Sequence, residues 1–429
     1  NFLDSWKGGE KLKPLLYVTS VLTTYLFACM LLDPPAVLAD SSQPVKIMAT
    51  YKAGEGRMEV ICGWLFTEPS FQGIVIPSRA YMQVSVEDVT RMIRIYFPRT
   101  FEELTGYDFI LLASVDMQFF TDRQTQWMYD AIAEEGLGGM NTRSVQSMSI
   151  AWSGSWMNSI LSDAFPNDVP AVVNTGYYQS EKFAAGPIVV NDDRDIPEIV
   201  SPFKEGIESR FPAYRGVLTV PRQGSTIYTW IRSDLMHQGN PLPGYIPHLF
   251  SWRYGNAITF TAMDMVCEDF WTSDKNPFSI DIIGNVVWHS TNRDLPQDAM
   301  RVHALRDLFR RFQLRKLCLV SMFEFAEGFG ANTMDIYSRL GEIEGKKAEA
   351  DHEYLRGDFE ASFDRMDSLL EDLRGFEEEA VKPKNRALAW VYFIEWLAVS
   401  ATMLICGVMV WQLMVKRSLY REVAVTRHR

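Results

Sequence analysis

The sequence predicts a mixed α/β domain held between two membrane-crossing helices. Three observations lead there. Short, continuous apolar runs such as Phe109–Ala113 alternate with amphipathic helical stretches, which is the pattern of parallel strands buried on both faces. Two long apolar segments, Leu15–Leu32 and Ala387–Val415, lie near the two ends. Between the α/β part and the second segment the chain turns helical, and over Thr333–Val381 it is charged and mostly acidic.

The elements follow in order. VKIMATY, RMEVICGWLF and GIVIPS read as strands. SVEDVTRMIRIYF has helical spacing through Val89, Met92 and Ile93. A short amphipathic helix in RTFEELTG leads through a Gly turn into the buried strand Phe109–Ala113, which stops at Ser114-Val115-Asp116. The next helix has Thr121 as N-cap, an apolar stripe of Trp127, Met128, Ile132 and Ala133, and Gly136 as its stop. A short strand, LGGM, follows and opens into a turn, so strand, helix and strand form a parallel βαβ unit. WSGSWMNSILSDAFP reads as a helix. Residues 170–250 are richer in strands and turns, with GVLTVPR and STIYTWIRS alternating as antiparallel strands do. NAITFTAMD is a further buried strand ending at Asp264, and FSIDIIGNVVWHS a helix. A basic amphipathic helix begins near Met300. After it, Tyr354, Leu355, Phe359, Phe363, Met366, Leu369, Leu370, Leu373 and Phe376 continue an apolar stripe, read as a two-helix stalk. AEADHEYLRGDFEAS has the look of one tetratricopeptide-type hairpin, but a repeat array needs about three copies.

The chain has 429 residues and a net charge of -12, which argues against a nucleic-acid partner, since phosphate binding needs a basic face. Lys7, Lys11 and Lys13 precede the first apolar segment. Lys416, Arg417, Arg421, Arg427 and Arg429 follow the second, which predicts both termini on the cytoplasmic side. Val37 and Ala39 before Asp40 also fit a signal-peptidase site; we read the segment as a retained signal anchor. The expected organisation is a cytoplasmic N-terminus over 1–14, a transmembrane helix over 15–32, an extracytoplasmic domain over 40–295, a helical stalk or hairpin over 296–385, a second transmembrane helix over 387–415 and a basic cytoplasmic tail over 416–429. Glu395 is the only charge inside the second segment. It lies at a depth of about 12 Å, level with Thr23, Thr24 and Tyr25 of the first, its expected partners in the same chain or a neighbour. The five Cys include no CxxC and no close Cys/His pair, so the sequence indicates no metal site; one disulfide or three buried thiols are open among Cys62, Cys267 and Cys318.

FEELTGYDFILLASVD, then a helix, EEGLGGMN, WMNSILSDAFPNDVP, and later YGNAITFTAMD and NPFSIDIIGNVVW, in this order over residues 45–295, resemble the membrane-associated, glutamine-amidotransferase-like proteins of the class I amidotransferase-like superfamily. The resemblance implies a flavodoxin-like, mostly parallel sheet with a β-rich elaboration. It also implies a nucleophilic Cys at a strand-to-helix turn and a downstream His-x-Glu pair. Here that turn reads Gly138-Gly139-Met140-Asn141-Thr142 without Cys, and His289 is followed by Ser290 and Thr291. A non-catalytic frame is therefore expected, without a cofactor.

In open α/β sheets ligands sit beyond the carboxyl ends of the strands. There the sequence offers Ser114 and Asp116, then Asn141, Thr142, Arg143 and Ser144, and then Asp264 and Asp269. Ser114, Asp116, Asn141, Thr142, Arg143 and Asp264 are the expected ligand pocket. Asp116, Ser144 and Asp264 are the candidate catalytic groups if the protein is an envelope hydrolase, although each Asp also reads as a helix cap or an ion-pair partner. Trp152, Trp156, Trp230, Trp252, Trp271 and Trp288 read as core, with an envelope-glycan platform as the alternative. The leading expectation is a binding or scaffold subunit of a membrane or cell-envelope assembly, partnered by the lipid bilayer and by further copies or other membrane subunits.

Overall fold

The computed structural model describes residues 42–52, 57–79, 85–142, 156, 159–168, 183–217, 220–232, 236–237, 240–241, 244–266, 268–328 and 334–426. The first apolar segment, with Thr23, Thr24 and Tyr25, lies outside them, as do Arg143, Ser144, Trp152 and Cys267.

The chain starts with β1 (Val45–Lys52), α1 (Arg57–Thr67) and β2 (Phe71–Arg79). α1 corrects the strand expected from RMEVICGWLF. Because β1 and β2 pair in parallel, the chain must cross over between them. Val60, Ile61, Trp64 and Leu65 recur at three-four spacing and pack into the sheet's core, so the run is helical. α2 (Val86–Tyr96) is capped by Ser85, and α3 (Phe101–Leu104) by Thr100. β3 (Phe109–Ala113) is buried along its whole length. α4 (Asp122–Ala133) begins with a full capping box, in which Thr121 accepts from Gln124 N–H and the Gln124 side chain accepts from Thr121 N–H.

β4 spans Gly138–Thr142. The turn expected at Asn141 therefore does not start there: the strand is clamped between two neighbours as far as Ala113, Thr142 and Ala262. The Gly pair also has a different purpose. A Cβ on Gly138 would come 2.4 Å from Ser290 Oγ, and one on Gly139 would press on Ile110 and Phe165 at 3.3 Å. These glycines let flanking elements reach the sheet. Of the helix expected over WSGSWMNSILSDAFP, the described part is Trp156 and a 3-10 segment, Ile160–Ala164.

β5 (Ile188–Val190), α5 (Lys204–Arg210), β6 (Thr226–Arg232), β7 (Tyr245–Tyr254) and β8 (Ala257–Ala262) follow, then α6 (Ser279–Ser290). GVLTVPR is split between two short strands, Tyr214–Val217 and Val220–Pro221, each in its own two-stranded ribbon.

The eight strands form one sheet in the order β2-β1-β3-β4-β8-β7-β6-β5. The first five run parallel and the last three alternate antiparallel. The parallel half has the 2-1-3-4-5 order of a doubly wound sheet, with its switch point between β1 and β3. α1, α5 and α6 cover one face, where Ile61, Trp64, Ile207, Ile282 and Val286 meet Ile47, Leu111 and Phe260. α2 and α4 cover the other, where Val89, Ile93, Met128 and Ile132 meet Met48, Ile110 and Leu112.

α7 (Ala299–Gly328), α8 (Met334–Leu355) and α9 (Phe359–Thr426) complete the fold. α7 is the basic amphipathic helix, and α8 and α9 are the two that follow it; all three pack around Phe309, Phe323, Tyr354, Met366 and Phe376, and Trp288 of α6 joins that core. α8 turns into α9 at Gly357, whose φ is +80°. α9 runs unbroken through Pro383 and contains Leu388–Tyr420, with a mean hydropathy of 2.0. Among the described residues it is the one helix long and apolar enough to cross a membrane. Glu395 is exposed on it.

The joint between the α/β layers and the helices is ionic. Arg306 of α7 is 1% exposed. Its Nε lies 2.5 Å from Glu68 Oε2 and 3.0 Å from Tyr354 Oη, and Nη1 donates to Asp281 Oδ1 at 3.0 Å. Glu68 Oε1 accepts from Ser70 Oγ at 2.6 Å, and Ser70 accepts in turn from Trp288 Nε1 at 2.9 Å. Asp281 Oδ2 sits 2.6 Å from His303 Nδ1. Burial opposes the charge on Arg306, but Glu68, Tyr354 and Asp281 outweigh it and raise the guanidinium pKa. Arg306→Leu strands two buried carboxylates and is expected to lower unfolding free energy by about 3–5 kcal/mol in denaturant titration. Lys346→Ala, which breaks the exposed pair with Asp372, is expected to change nothing measurable.

Candidate functional site

The carboxyl edges of β3, β4 and β8 converge as expected, and the structure divides their polar groups into two kinds. Ser114 follows β3 with φ +54°, a left-handed conformation that costs a serine about 1–3 kcal/mol. It is held there by Ser114 N–H donating to Thr142 O at 3.0 Å. Ser114, Asn141 and Thr142 are all 0% exposed. Ser114 Oγ, Asn141 Oδ1 and Nδ2, and Thr142 Oγ1 have no hydrogen-bond partner among the described residues. Buried polar atoms left in this state are costly. Strand alternation splits them: Met140 and Thr142 share the α1/α6 face, while Asn141 turns to the α2/α4 face.

The two carboxylates are of the other kind. Asp116 caps the 3-10 turn Met117–Phe119, with Oδ1 accepting from Gln118 N–H at 3.2 Å and Oδ2 from Gln118 Nε2 at 2.6 Å. Asp264 is saturated. Its Oδ1 accepts from Trp271 Nε1 at 2.8 Å, and its Oδ2 accepts from the Tyr214 hydroxyl and lies 3.1 Å from His248 Nε2. His248 Nδ1 is 2.8 Å from Thr229 Oγ1, which itself accepts from Leu249 N–H at 3.1 Å. The Thr229 hydroxyl then donates to Nδ1, which assigns the His248 proton to Nε2 and leaves every group in the chain satisfied. Burial and the Asp264 charge push the Tyr214 phenol well above its ordinary range, so it stays a donor. Thr229, His248 and Asp264 look like a nucleophile, base and carboxylate in line. At 0%, 0% and 4% exposure, with every side-chain polar atom hydrogen-bonded, they form an internal lock. Asp269, by contrast, is exposed and stands apart.

His248 and Tyr214 were not placed at the site from the sequence, and Trp271 was read there only as a core tryptophan or part of a glycan platform. A signal existed: Gly255-Asn256 reads as a hairpin turn, and counting outward from it pairs His248 with Met263, next to Asp264. Trp156, Trp271 and Trp288 are core residues, as expected, and Trp230 and Trp252 are half-buried. Cys62, Cys318 and Cys406 are free thiols; Cys318 is exposed, correcting the expectation that it is buried. Burial raises the Cys62 thiol pKa, and the neighbouring Glu59 adds to this, so Cys62 is no thiolate nucleophile. Among the described residues no group of His, Cys, Asp and Glu is arranged to hold a metal ion. A cavity of about 620 Å³ lies between α1, residues 272–277 and α7, lined by Glu59, Trp64, Asp274, His303 and Arg310. Trp64 in its wall packs edge-on against Trp271 at 6.0 Å, so the Asp264 lock lies behind it.

No family model matches the chain, and no curated protein matches it. Two solved structures are similar in part. Cytoplasmic Protein STM1381 from Salmonella typhimurium LT2 aligns at 16% identity over 57% of this chain and 99% of its own, with a TM-score of 0.40. Exo-beta-1,4-mannosidase Op5Man5 from Opitutaceae bacterium strain TAV5 aligns at 8% identity over 58% of this chain and 36% of its own, with a TM-score of 0.30. Neither bears on function.

The two kinds of group predict opposite mutational responses. Thr142→Val and Asn141→Leu remove polar atoms that have no partner, so the unfolding midpoint is expected to hold or rise. Asp264→Ala strands three buried donors and is expected to cost about 3 kcal/mol or more in the same titration. His289 gives a pH dependence. Burial, with a contribution from Arg253, lowers its pKa below 6.5 in the fold. As pH falls through 6.5 the unfolded chain takes up a proton that the folded chain resists, so stability declines with falling pH. His289→Gln is expected to flatten that decline between the unfolded and folded pKa values.

Proposed function

We propose that the chain is a membrane-anchored binding or scaffold subunit. In this reading a flavodoxin-like, amidotransferase-like domain without the amidotransferase nucleophile stands outside the cytoplasmic membrane, with both termini cytoplasmic, as part of a membrane or cell-envelope assembly. The observation that carries it is α9. The helix that holds Met366, Leu369, Leu373 and Phe376 in the bundle core continues without a break into Leu388–Tyr420. A domain locked onto that helix through Arg306 is held at the bilayer as one body with its anchor.

The strand-end geometry supports binding over chemistry. Hydrolysis needs a titratable group free to take or give a proton, and Asp116 and Asp264 are both engaged. Ser114, Asn141 and Thr142 instead carry hydroxyls and a carboxamide without partners among the described residues, with Thr142 and Asn141 on opposite faces of the sheet. The 2-1-3-4-5 strand order fits the flavodoxin-like part of the reading. Lys382, Lys384 and Arg386 precede the apolar stretch, and Lys416, Arg417 and Arg421 follow it. The basic tail is the side we assign to the cytoplasm, where it can meet anionic lipid heads. Glu395, exposed within the stretch, is the group we assign to lateral contact with further copies or other membrane subunits.

The test is the mass of the detergent-extracted native complex, with every co-purifying chain identified. The full chain is expected to stay with membranes through alkaline carbonate washing. It is expected to leave detergent extraction either as a multiple of 49.1 kDa or in fixed ratio with another chain. Release by carbonate removes the anchor; a lone monomer removes the scaffold.

A further inference from the structure

The cavity of about 620 Å³ between α1, residues 272–277 and α7 is a separate place from the strand-end groups: neither Ser114, Asn141 nor Thr142 lines it. Its size falls within the roughly 300–1,000 Å³ of small-molecule sites. Two of its three walls belong to connections that leave the carboxyl ends of parallel strands. α1 follows β1, and residues 272–277 lie between β8 and α6. Ligands of open α/β sheets sit beyond those ends. The third wall is α7, so the bundle closes a cleft that the α/β layers alone leave open.

The walls present acceptors. His303 is 23% exposed, and its Nδ1 lies 2.6 Å from Oδ2 of Asp281, which is 0% exposed. An ionised carboxylate only accepts, so Nδ1 carries the proton and the neutral ring keeps Nε2 as an acceptor. Asp281 also accepts from Arg306, so the ionic joint between domain and bundle fixes the angle of the imidazole. Phe278 packs on the same ring at 4.9 Å. Glu59 of α1 and Asp274 of the loop, both exposed, add two carboxylates. The cations of the lining are already committed. Arg306 is 1% exposed and bound to Glu68 and Asp281, and Arg310 pairs with Asp307 at 2.7 Å. Val60, Trp64, Ile280 and Leu314 supply apolar surface. Such a lining complements hydrogen-bond donors, a positive charge and an apolar body, and it repels an anion.

Gly63 keeps the space open on the α1 side. It lines the cavity, and a Cβ built on it meets no described atom within 4 Å. A glycine inside a helix is unfavourable, and at Gly138 and Gly284 a close neighbour requires it. At Gly63 no described neighbour does. We infer that this cavity binds a primary amine in its ammonium form with an apolar body, and that the carboxylates of Glu59 and Asp274 and Nε2 of His303 are its polar partners. The inference stands independently of α9 as a membrane anchor.

The experiment titrates the detergent-solubilised full chain with 3-phenylpropylamine, 3-phenylpropanol and 3-phenylpropanoate, which share one body and differ in the head group. Affinities are read by ligand-observed NMR. The amine is expected to bind several-fold more tightly than the alcohol, and the carboxylate more weakly than either. Glu59→Gln combined with Asp274→Asn is expected to bring the amine down to the level of the alcohol; both side chains are exposed, so the fold is kept. Gly63→Leu is expected to abolish binding of all three while circular dichroism and the unfolding midpoint hold, since leucine is the better helix former. Amine binding that Gly63→Leu leaves unchanged belongs to the micelle or to another surface and overturns the inference. An amine no tighter than the alcohol, or one whose affinity survives the double substitution, also overturns it, as does failure of all three to bind at millimolar concentration. None of these outcomes bears on membrane retention or on the mass of the native complex, so the inference and the scaffold reading fail separately.

Discussion

Arg306 is a full charge at 1% exposure, and three parts of the chain depend on where it sits. Glu68 comes from the end of α1, Asp281 from α6 and Tyr354 from α8, while Arg306 itself belongs to α7. Desolvating a guanidinium costs several kcal/mol unless carboxylates and further hydrogen bonds surround it. At Nε and Nη1 that condition is met only when α1, α6, α7 and α8 adopt their observed arrangement. An apolar contact would tolerate sliding by a residue; this one does not. The site also explains Gly284, where a Cβ would come 2.5 Å from Arg306 Nη2. The bundle is thus a fixed part of the domain, and the height of the sheet above the apolar stretch of α9 is set by helix length alone.

The sequence was most legible where one local signal sufficed. Phe109–Ala113 and Ala257–Ala262 are continuous apolar runs and are buried strands. Thr121 and Gly136 bound α4 as their chemistry dictates. RMEVICGWLF misled because it is apolar nearly throughout, so period two and period three-four both fit; only the parallel pairing of β1 with β2 decides between them. Gly138-Gly139 misled for a different reason. Two adjacent glycines suggest a turn, but here each is small because a particular neighbour, Ser290 or Phe165, approaches the strand. That neighbour is more than a hundred residues away in one case, and no local pattern reports it.

The candidate site was legible as a place more than as a chemistry. The rule that ligands lie beyond carboxyl strand ends identified Ser114, Asp116, Asn141, Thr142 and Asp264, and all five are buried there. What each group does depends on partners distant in sequence: Tyr214 is 50 positions from Asp264, and His248 is 16. Arg306 gave no signal, since a charged residue in a basic amphipathic helix reads as solvated. Its burial follows from two carboxylates supplied by other elements.

The distinction between engaged and unengaged groups bears on what kind of protein this is. Folding selects against buried polar atoms without partners, because each costs about 1–3 kcal/mol. A chain that satisfies Thr229, His248, Asp264, Tyr214 and Trp271 so fully shows that its core can place donors against acceptors. Ser114, Asn141 and Thr142 are left unpaired among the described residues one strand away, and Ser114 is held at positive φ, which is a local cost. On the reading proposed above, a ligand that supplied the missing partners would recover the cost as affinity. Among the described groups at that edge, the carboxylates of Asp116 and Asp264 are already committed to the fold.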